Sequence, residues 1–266
     1  MIDITASIVI YNNHEEVLEL VKIIQKISLN TYLYLIDNSK VEQARLFEQF
    51  PNTEYIFAGK NLGYGKGHNL AIEKIHGRST YHIVLNPDIS FEPGIINELK
   101  TFMDENQDIG QVMPKVLYPN GDLQKLCKLL PTPMDLIGRR FGKLMNLKPN
   151  ENYELPNFKY DKIKDIPNLS GCFMFFRTTI LEEIKGFDPR YFMYLEDIDL
   201  TRRALRISRT VFYPKVSIIH KFRKESSKKI KMLIIHSKSA IQYFNKWGWI
   251  RDPERDRINN QVLTNF

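Results

Sequence analysis

Cysteine is nearly missing from this chain. Only Cys127 and Cys172 occur among 266 residues, far apart and without metal-ligand spacing, so neither a disulfide framework nor a zinc site is expected. Reduced thiols of a cytoplasmic protein are the default. Long apolar runs are lacking too: a strong candidate, Cys172-Phe173-Met174-Phe175-Phe176, has the length of a buried strand and falls well short of a bilayer span. Membrane contact is therefore expected to be peripheral. Met1-Ile2-Asp3-Ile4-Thr5 carries no basic region followed by an apolar block, and no secretory signal is expected. The Walker A loop and the dinucleotide fingerprint G-x-G-x-x-G are both absent. So are internal repeats, low-complexity tracts and any recognisable nucleic-acid module. The net charge of +7 suits nucleic acid, anionic membrane surfaces or phosphorylated ligands and does not choose between them, although the missing module weakens the first.

What is present is an ordinary folded composition, 43% hydrophobic and 26% charged. Short β-rich runs alternate with helical patterns in the first half, which predicts an α/β fold with a mainly parallel sheet. Strands are expected at 6–11, 32–36, 55–58 and 81–85, with helices at 14–27 and from the glycine-rich loop to about 75. Further strands are expected at 169–176, 210–213 and 216–219, and Asn120-Gly121 signals a turn after a strand beginning at Pro114. Residues 131–167 read as a long excursion, either a cover for a substrate or a surface loop. A helical pattern at 226–246 suggests a division into a catalytic domain, 1–225, and a C-terminal extension, 226–266.

Polar residues gather at predicted strand ends, where open α/β sheets bind ligands. Asn12, Asp37 (in Asp37-Asn38-Ser39), Asn61 and Asp88 all fall there. Asn86-Pro87-Asp88 suits a hard cation, which needs few protein carboxylates, and equally suits a plain turn. Asn61-Leu62-Gly63-Tyr64-Gly65-Lys66-Gly67-His68-Asn69 lets backbone approach a nucleotide closely, although a simple turn has the same composition. His220 ends a strand and could join Asp88 on a metal or touch a diphosphate, with Lys221, Arg223, Lys224, Lys228, Lys229 and Lys231 nearby as either helpers or a solvated face. Phe192-Met193-Tyr194-Leu195-Glu196-Asp197-Ile198-Asp199-Leu200 is the leading site for a general base, because acids among apolar residues need a partner, a ligand or a task. The competing reading is a set of helix-capping acids.

These segments together resemble a family 2 glycosyltransferase of the GT-A fold. The likeness rests on Ser7-Ile8-Val9-Ile10-Tyr11-Asn12, Asp37-Asn38-Ser39, Asn61-Leu62-Gly63-Tyr64-Gly65 with Asn69, Leu85-Asn86-Pro87-Asp88, Ser170-Gly171-Cys172-Phe173-Met174, and Gly186-Phe187-Asp188 running into the acidic segment. It is most similar to bacterial rhamnosyltransferases of O-antigen and related cell-surface polysaccharide synthesis, which implies dTDP-β-L-rhamnose as donor and a polyprenyl-diphosphate-linked sugar as acceptor. By the resemblance, Asp197 is the catalytic base. Tyr11, Asn12, Asp37, Asn61, Gly63, Gly65, Asn86 and Arg203 line the nucleotide-sugar site, and Gly171, Tyr194 and Glu196 the acceptor site. Asp88 and His220 hold Mg²⁺ or Mn²⁺. One departure is that Asn86 replaces the first aspartate of D-x-D, which removes a negative charge and puts metal dependence in doubt.

Helical spacing adds an independent point. At about 100° per residue, Asp197 and Asp199 face nearly opposite sides, so only one can serve a given hydroxyl. Asp199 is expected to be structural. Ile230, Leu233, Ile234, Ile241 and Phe244, followed by Trp247-Gly248-Trp249 between Lys246 and Arg251, form a face for an anionic membrane, for the catalytic domain or for a second subunit of a homodimer. Two other functions share these features: transfer of a UDP-linked hexose or N-acetylhexosamine, and nonenzymatic binding of a nucleotide sugar or polyanion.

Overall fold

A computed structural model describes residues 2–136, 151–221 and 230–264. In the first half β1 (Ile2–Ile10), β2 (Thr31–Asp37), β3 (Thr53–Phe57) and β4 (Ser79–Leu85) are joined through α1 (His14–Ile24) and α2 (Tyr64–Ile72). The four strands pair in parallel in the order β3-β2-β1-β4. Both faces of β1 are covered, with Ile4, Ala6, Ile8 and Ile10 buried on one side and Thr5 and Ser7 on the other, as a central parallel strand requires. Helix α1 buries Val17, Leu20, Val21 and Ile24 at helical spacing and carries Glu15 and Glu16 in its first turn and Lys22 in its last, matching the dipole. It ends before the predicted Ile27 because the amides of Lys26 and Ile27 bond to carbonyls three residues back, a tightened terminal turn.

The second half supplies β5 (Ile89–Ser90), α3 (Gly94–Glu105), β6 (Ile109–Leu117), β7 (Lys164–Asp165), β8 (Phe173–Arg177), α4 (Thr178–Glu183), α5 (Glu196–Leu205) and β9 (Arg209–His220). Strand β8 lies antiparallel between β4 and β6, and β9 runs parallel to β6 with β5 and β7 on its other edge. The strand predicted at 169–176 begins only at Phe173; residues 169–172 are irregular and reach the site. The two strands expected at 210–213 and 216–219 are one, interrupted where pairing jumps from Pro114↔Tyr213 to Lys115↔Ser217. Pro214, without an N–H, sits in that bulge. The Asn120-Gly121 turn forms, with Gly121 at φ 87° and an antiparallel bridge between Leu117 and Leu123.

Helices α1 and α3 cover one face of the sheet and α2, α4 and α5 the other. Fully buried Phe176, Phe187 and Leu200 anchor the second layer, each contributing about 1.5–3 kcal/mol by burial. Within the excursion at 131–167, Tyr153, Leu155, Phe158, Tyr160 and Ile166 build a cluster against Met113 and Phe212, so this part is packed scaffold; 137–150 lie outside the described residues. The boundary expected near 225 also falls outside them, as do Arg223, Lys224, Lys228 and Lys229. Beyond it, α6 (Ile230–Trp247) and α7 (Pro253–Thr264) return to the sheet's helical layer. Tyr243 and Phe244 pack on Tyr191 and Leu195, and Asn259 exchanges two 2.9 Å hydrogen bonds with the backbone of Leu130.

Candidate active site

Because β1, β2 and β4 run in parallel, their carboxyl ends deliver the turns after Ile10, Asp37 and Leu85 to one edge of the sheet. A cavity of about 450 Å³ opens there, walled by Tyr11, Asn61, Gly63, Asn86, Asp88 and Asp197 among others. Asp37 stands behind this wall. It is fully buried, with Oδ2 accepting hydrogen bonds from Tyr55 Oη and from His14 Nε2 at 2.7 Å, and Oδ1 accepting the Ser39 amide at 2.8 Å. Burial alone would raise its pKa, but the hydrogen bonds from Ser39, Tyr55 and His14 together hold it below the ordinary aspartate value. In the same turn Ser39 Oγ accepts the Asn12 amide and Asn38 Nδ2 donates to the Gly63 carbonyl. Asn12 is exposed at φ 58° and is not on the wall; its neighbours Tyr11 and Asn13 are.

The glycine-rich loop is shaped by the acidic segment. Gly63 has φ 89°, and a Cβ on it would lie 2.2 Å from the Phe192 carbonyl oxygen, which instead accepts the Tyr64 amide at 2.9 Å. Glycine is obligatory there. Asn61 Oδ1 accepts the Gly63 amide. Gly65 has a different reason: its missing side chain leaves room for Phe187, 2.9 Å from a would-be Cβ, so it serves helix packing and not the cavity wall.

His220 and Asp88 face each other across the cavity, Nε2 to Oδ1 at 3.3 Å, with Asn86 Nδ2 at 3.5 Å from the same nitrogen. The other ring nitrogen, Nδ1, lies 3.0 Å from Gln124 Oε1. Gln124 Nε2 donates to the carbonyls of His220 and Leu117, which settles the amide orientation and makes Nδ1 the protonated nitrogen. Nε2 is thereby turned toward Asp88 and Asn86. Sequence reasoning missed Gln124 altogether.

The acidic segment enters α5 through two successive left-handed residues, Tyr194 (φ 71°) and Leu195 (φ 64°), strain of the kind held at functional sites. Asp197 Oδ2 accepts the Gly171 amide at 2.9 Å and Oδ1 the Ile198 amide at 2.9 Å. Tyr64 Oη donates to the Gly171 carbonyl at 2.6 Å, so the glycine loop, residue 171 and the carboxylate form one continuous support. Burial raises the pKa of Asp197, and the Gly171 and Ile198 N–H groups oppose that rise. Glu196 is 5% exposed and its Oε2 finds no hydrogen-bond partner among the described residues. Burial and then the charge of Asp197 push its pKa well above the ordinary value. Both acids are thus pushed toward the protonated form, Glu196 the more strongly, while two backbone N–H groups favour the charged form of Asp197.

Asp199 points away, as helical spacing predicts. It accepts from Lys246 Nζ at 2.6 Å, Trp247 Nε1 at 2.8 Å and Arg203 Nε at 2.8 Å. Arg203 is thereby removed from the nucleotide site. Its two terminal nitrogens donate to the carbonyls of Ile184 and Gly186, because six residues of helix turn it about 120° from Asp197, onto the flank that carries Asp199. Behind it, buried Arg202 holds Asp252 by two bonds of 2.7 and 2.6 Å, reaches Glu254, and lies 4.1 Å over the Trp247 ring.

A second cavity, about 520 Å³, adjoins the first at Asp197. The two share Ser170, Tyr194, Glu196 and Asp197, and the second adds Lys125, Lys128 and His236. Neither lysine nor His236 is marked by a motif. A larger hollow, about 640 Å³, lies between residues 163–167 and α7; Arg206 and Arg209 on its rim are paired with Glu254, Asp108 and Asp165, and the hollow has no acid placed for chemistry. No group of three or more His, Cys, Asp or Glu suited to a metal occurs among the described residues.

A family model described as "Glycosyltransferase like family 2" matches residues 3–234. The chain is 26% identical over 227 residues to the N-acetylglucosaminyl-diphospho-decaprenol L-rhamnosyltransferase of Mycobacterium tuberculosis, spanning 78% of this chain and 72% of that protein. It is 26% identical over 208 residues to the low-salt glycan biosynthesis hexosyltransferase Agl10 of Haloferax volcanii, spanning 77% and 62% respectively. Among solved structures, residues 1–349 of S. aureus TarS superimpose with a TM-score of 0.64 at 15% identity, over 98% of this chain and 71% of that one. The same protein in complex with UDP-GlcNAc gives 0.63 over 98% and 72%. These structural likenesses establish the fold.

Proposed function

The chain belongs to glycosyltransferase family 2, and from that premise we propose that it transfers L-rhamnose from dTDP-β-L-rhamnose, with inversion, to a polyprenyl-diphosphate-linked sugar during synthesis of an O-antigen-like cell-surface polysaccharide. One observation carries the reading: Glu196 and Asp197 line both of two adjoining cavities, and of these acids Asp197 is the one whose oxygens accept the Gly171 and Ile198 N–H groups. The donor occupies the cavity at the strand ends, where Tyr11 offers an exposed ring to the base and Asn61, Gly63 and Asn86 contact the nucleotide sugar. The acceptor approaches from the second cavity, past Tyr194 and Glu196. The mycobacterial relative, whose name specifies both rhamnose and a diphospho-lipid acceptor, supports the choice of substrates.

In this mechanism Asp197 takes the acceptor hydroxyl proton as that oxygen forms a bond to the anomeric carbon. The bond from that carbon to the phosphate oxygen breaks on the opposite face, and its electron pair leaves with the nucleoside diphosphate. The product is an α-L-rhamnoside. The N–H groups of Gly171 and Ile198 favour the ionised form of Asp197 against its burial, and with the proton on Glu196 that acid can donate a hydrogen bond to a sugar oxygen without opposing the charge.

Asp88 and His220 would hold Mg²⁺ or Mn²⁺ beside the diphosphate, since Gln124 turns Nε2 of His220 toward Asp88, 3.3 Å away, and Asp88 adds one negative charge. Such a cation offsets charge on the leaving diphosphate. The reading also has the enzyme at the inner face of the cell membrane. Among the described residues no helix is long and apolar enough to cross a bilayer, while α6 exposes Ile230, Ile234 and Ile241 beside Lys231 and Lys238.

The test is release of nucleoside diphosphate from a panel of dTDP- and UDP-sugars, with and without Mg²⁺ or Mn²⁺, in the presence of lipid-linked N-acetylglucosamine. dTDP-rhamnose is expected to be the preferred donor. Asp197→Asn should abolish transfer while donor binding and folding persist, and near-normal turnover in that variant would remove the assignment.

A further inference from the structure

The second cavity contains more than the family's reaction requires. A base and a sugar hydroxyl need hydrogen-bonding groups, whereas this cavity brings in three basic side chains from two distant parts of the chain: Lys125 and Lys128 from one and His236 from the other. Lys125 is exposed and Lys128 half-buried, with the Lys128 ammonium 5.9 Å from the centre of the Tyr153 ring and 3.8 Å from Glu154. Glu154 thus stands within ion-pair reach of Lys128. His236 comes from the inner face of α6, where its ring lies 5.3 Å from that of Tyr194. The same helix is fastened to the acidic segment by Ser239 Oγ donating to the Met193 carbonyl at 2.7 Å. Its outer face carries Ile230 and Ile234, 78% and 49% exposed. From Asp197 outward, the order is therefore a carboxylate pair, a basic cavity and an apolar helix surface.

We propose that Lys125, Lys128 and His236 form a subsite for the diphosphate of the acceptor, with the sugar beyond it at Asp197 and the polyprenyl chain leaving along α6. The inference rests on the reading of the acceptor as diphosphate-linked and assigns the residues that recognise that group. Two lysines and an imidazole supply the charge-assisted donors that a diphosphate takes, and their position beside the shared acids orders the acceptor as sugar, diphosphate and lipid. Glu154 competes with the ligand for Lys128, so it tunes the subsite by weakening it.

The experiment is calorimetric binding of farnesyl diphosphate to the full chain with dTDP saturating the donor cavity, paired with kinetics on two acceptors, farnesyl-diphosphate-linked and octyl-linked N-acetylglucosamine. Lys125→Ala combined with Lys128→Ala should weaken farnesyl diphosphate at least tenfold and raise KM for the diphosphate-linked acceptor by a similar factor. KM for dTDP-rhamnose and for the octyl glycoside should stay unchanged. Glu154→Gln should tighten farnesyl diphosphate severalfold, an effect that misfolding cannot mimic. Equal binding by parent and double variant, or no change with Glu154→Gln, overturns the subsite even if rhamnose transfer is intact. Lysine-dependent binding without transfer to either acceptor upholds the subsite and removes the proposed sugar chemistry instead.

Discussion

Gln124 grips His220 at both ends: its carbonyl oxygen lies 3.0 Å from the ring Nδ1 and its amide nitrogen donates to the His220 carbonyl at 2.7 Å. The side chain thereby sets both the tautomer and the direction of the ring that faces Asp88. If the proposed cation is bound there, Gln124→Leu should weaken Mn²⁺ binding to the dTDP-loaded enzyme by about 10–100-fold. Gln124→Glu, which keeps an acceptor for Nδ1–H, should retain most of the affinity. Titration calorimetry of Mn²⁺ against both variants checks this, and equal affinity in Gln124→Leu would deny the residue its positioning role.

The carboxylate pair predicts two pH effects. Burial places the Asp197 pKa above the ordinary aspartate value of 3.8, and transfer requires the ionised form. The acid limb of kcat/KM should therefore lie above that value, and Glu196→Gln should leave it nearly in place because Glu196 is already neutral there.

Stability carries the opposite sign. The folded-state pKa of Glu196 is raised above its unfolded value near 4.5, so its contribution is fully present below that pH and is lost as pH rises towards the folded pKa. Glu196→Gln should match the parent in strong acid and become progressively more stable than it with rising pH, as read by urea unfolding. A constant difference across pH would contradict the assignment of the proton to Glu196.

The clasp between α5 and the C-terminal helices should be costly to open. Arg202 and Asp252 are 1% and 4% exposed, and Arg202→Met leaves a buried carboxylate without its partner. About 3–5 kcal/mol is expected from denaturant unfolding. Adding Asp252→Asn should cost less than the sum of the two single changes, and full additivity would show that the pair is not coupled.

The outer face of α6 makes a separate prediction. Ile230→Ser, Ile234→Ser and Ile241→Ser together should reduce sedimentation with vesicles containing anionic lipid while leaving the melting temperature within a few degrees, since these side chains are exposed in the folded chain. Unchanged sedimentation would exclude this face as the membrane contact.

Short-range regularities made much of this protein legible before any coordinates. Alternating strand and helix patterns gave the parallel half of the sheet, and the polar residues after β1, β2 and β4 marked its ligand edge. The rotation of a helix was enough to separate Asp197 from Asp199. Each of these depends on neighbours within a few residues, where backbone geometry dictates direction.

The remainder was set by contacts between residues far apart in sequence, which no spacing encodes. Arg203 was expected at the nucleotide and instead spends its donors on Asp199, Ile184 and Gly186. Asp37 lies behind the cavity wall, with His14 and Tyr55 on Oδ2 and the Ser39 amide on Oδ1. Gln124 reaches His220 across 96 positions, and Lys125, Lys128 and His236 meet only when α6 folds back on the acidic segment. The sequence alone determined which residue types lie at the ends of strands and on which flank of a helix each acid stands. Tertiary structure decided which of them still have free donors and acceptors for a ligand, because buried polar groups must find partners wherever the packed chain brings them.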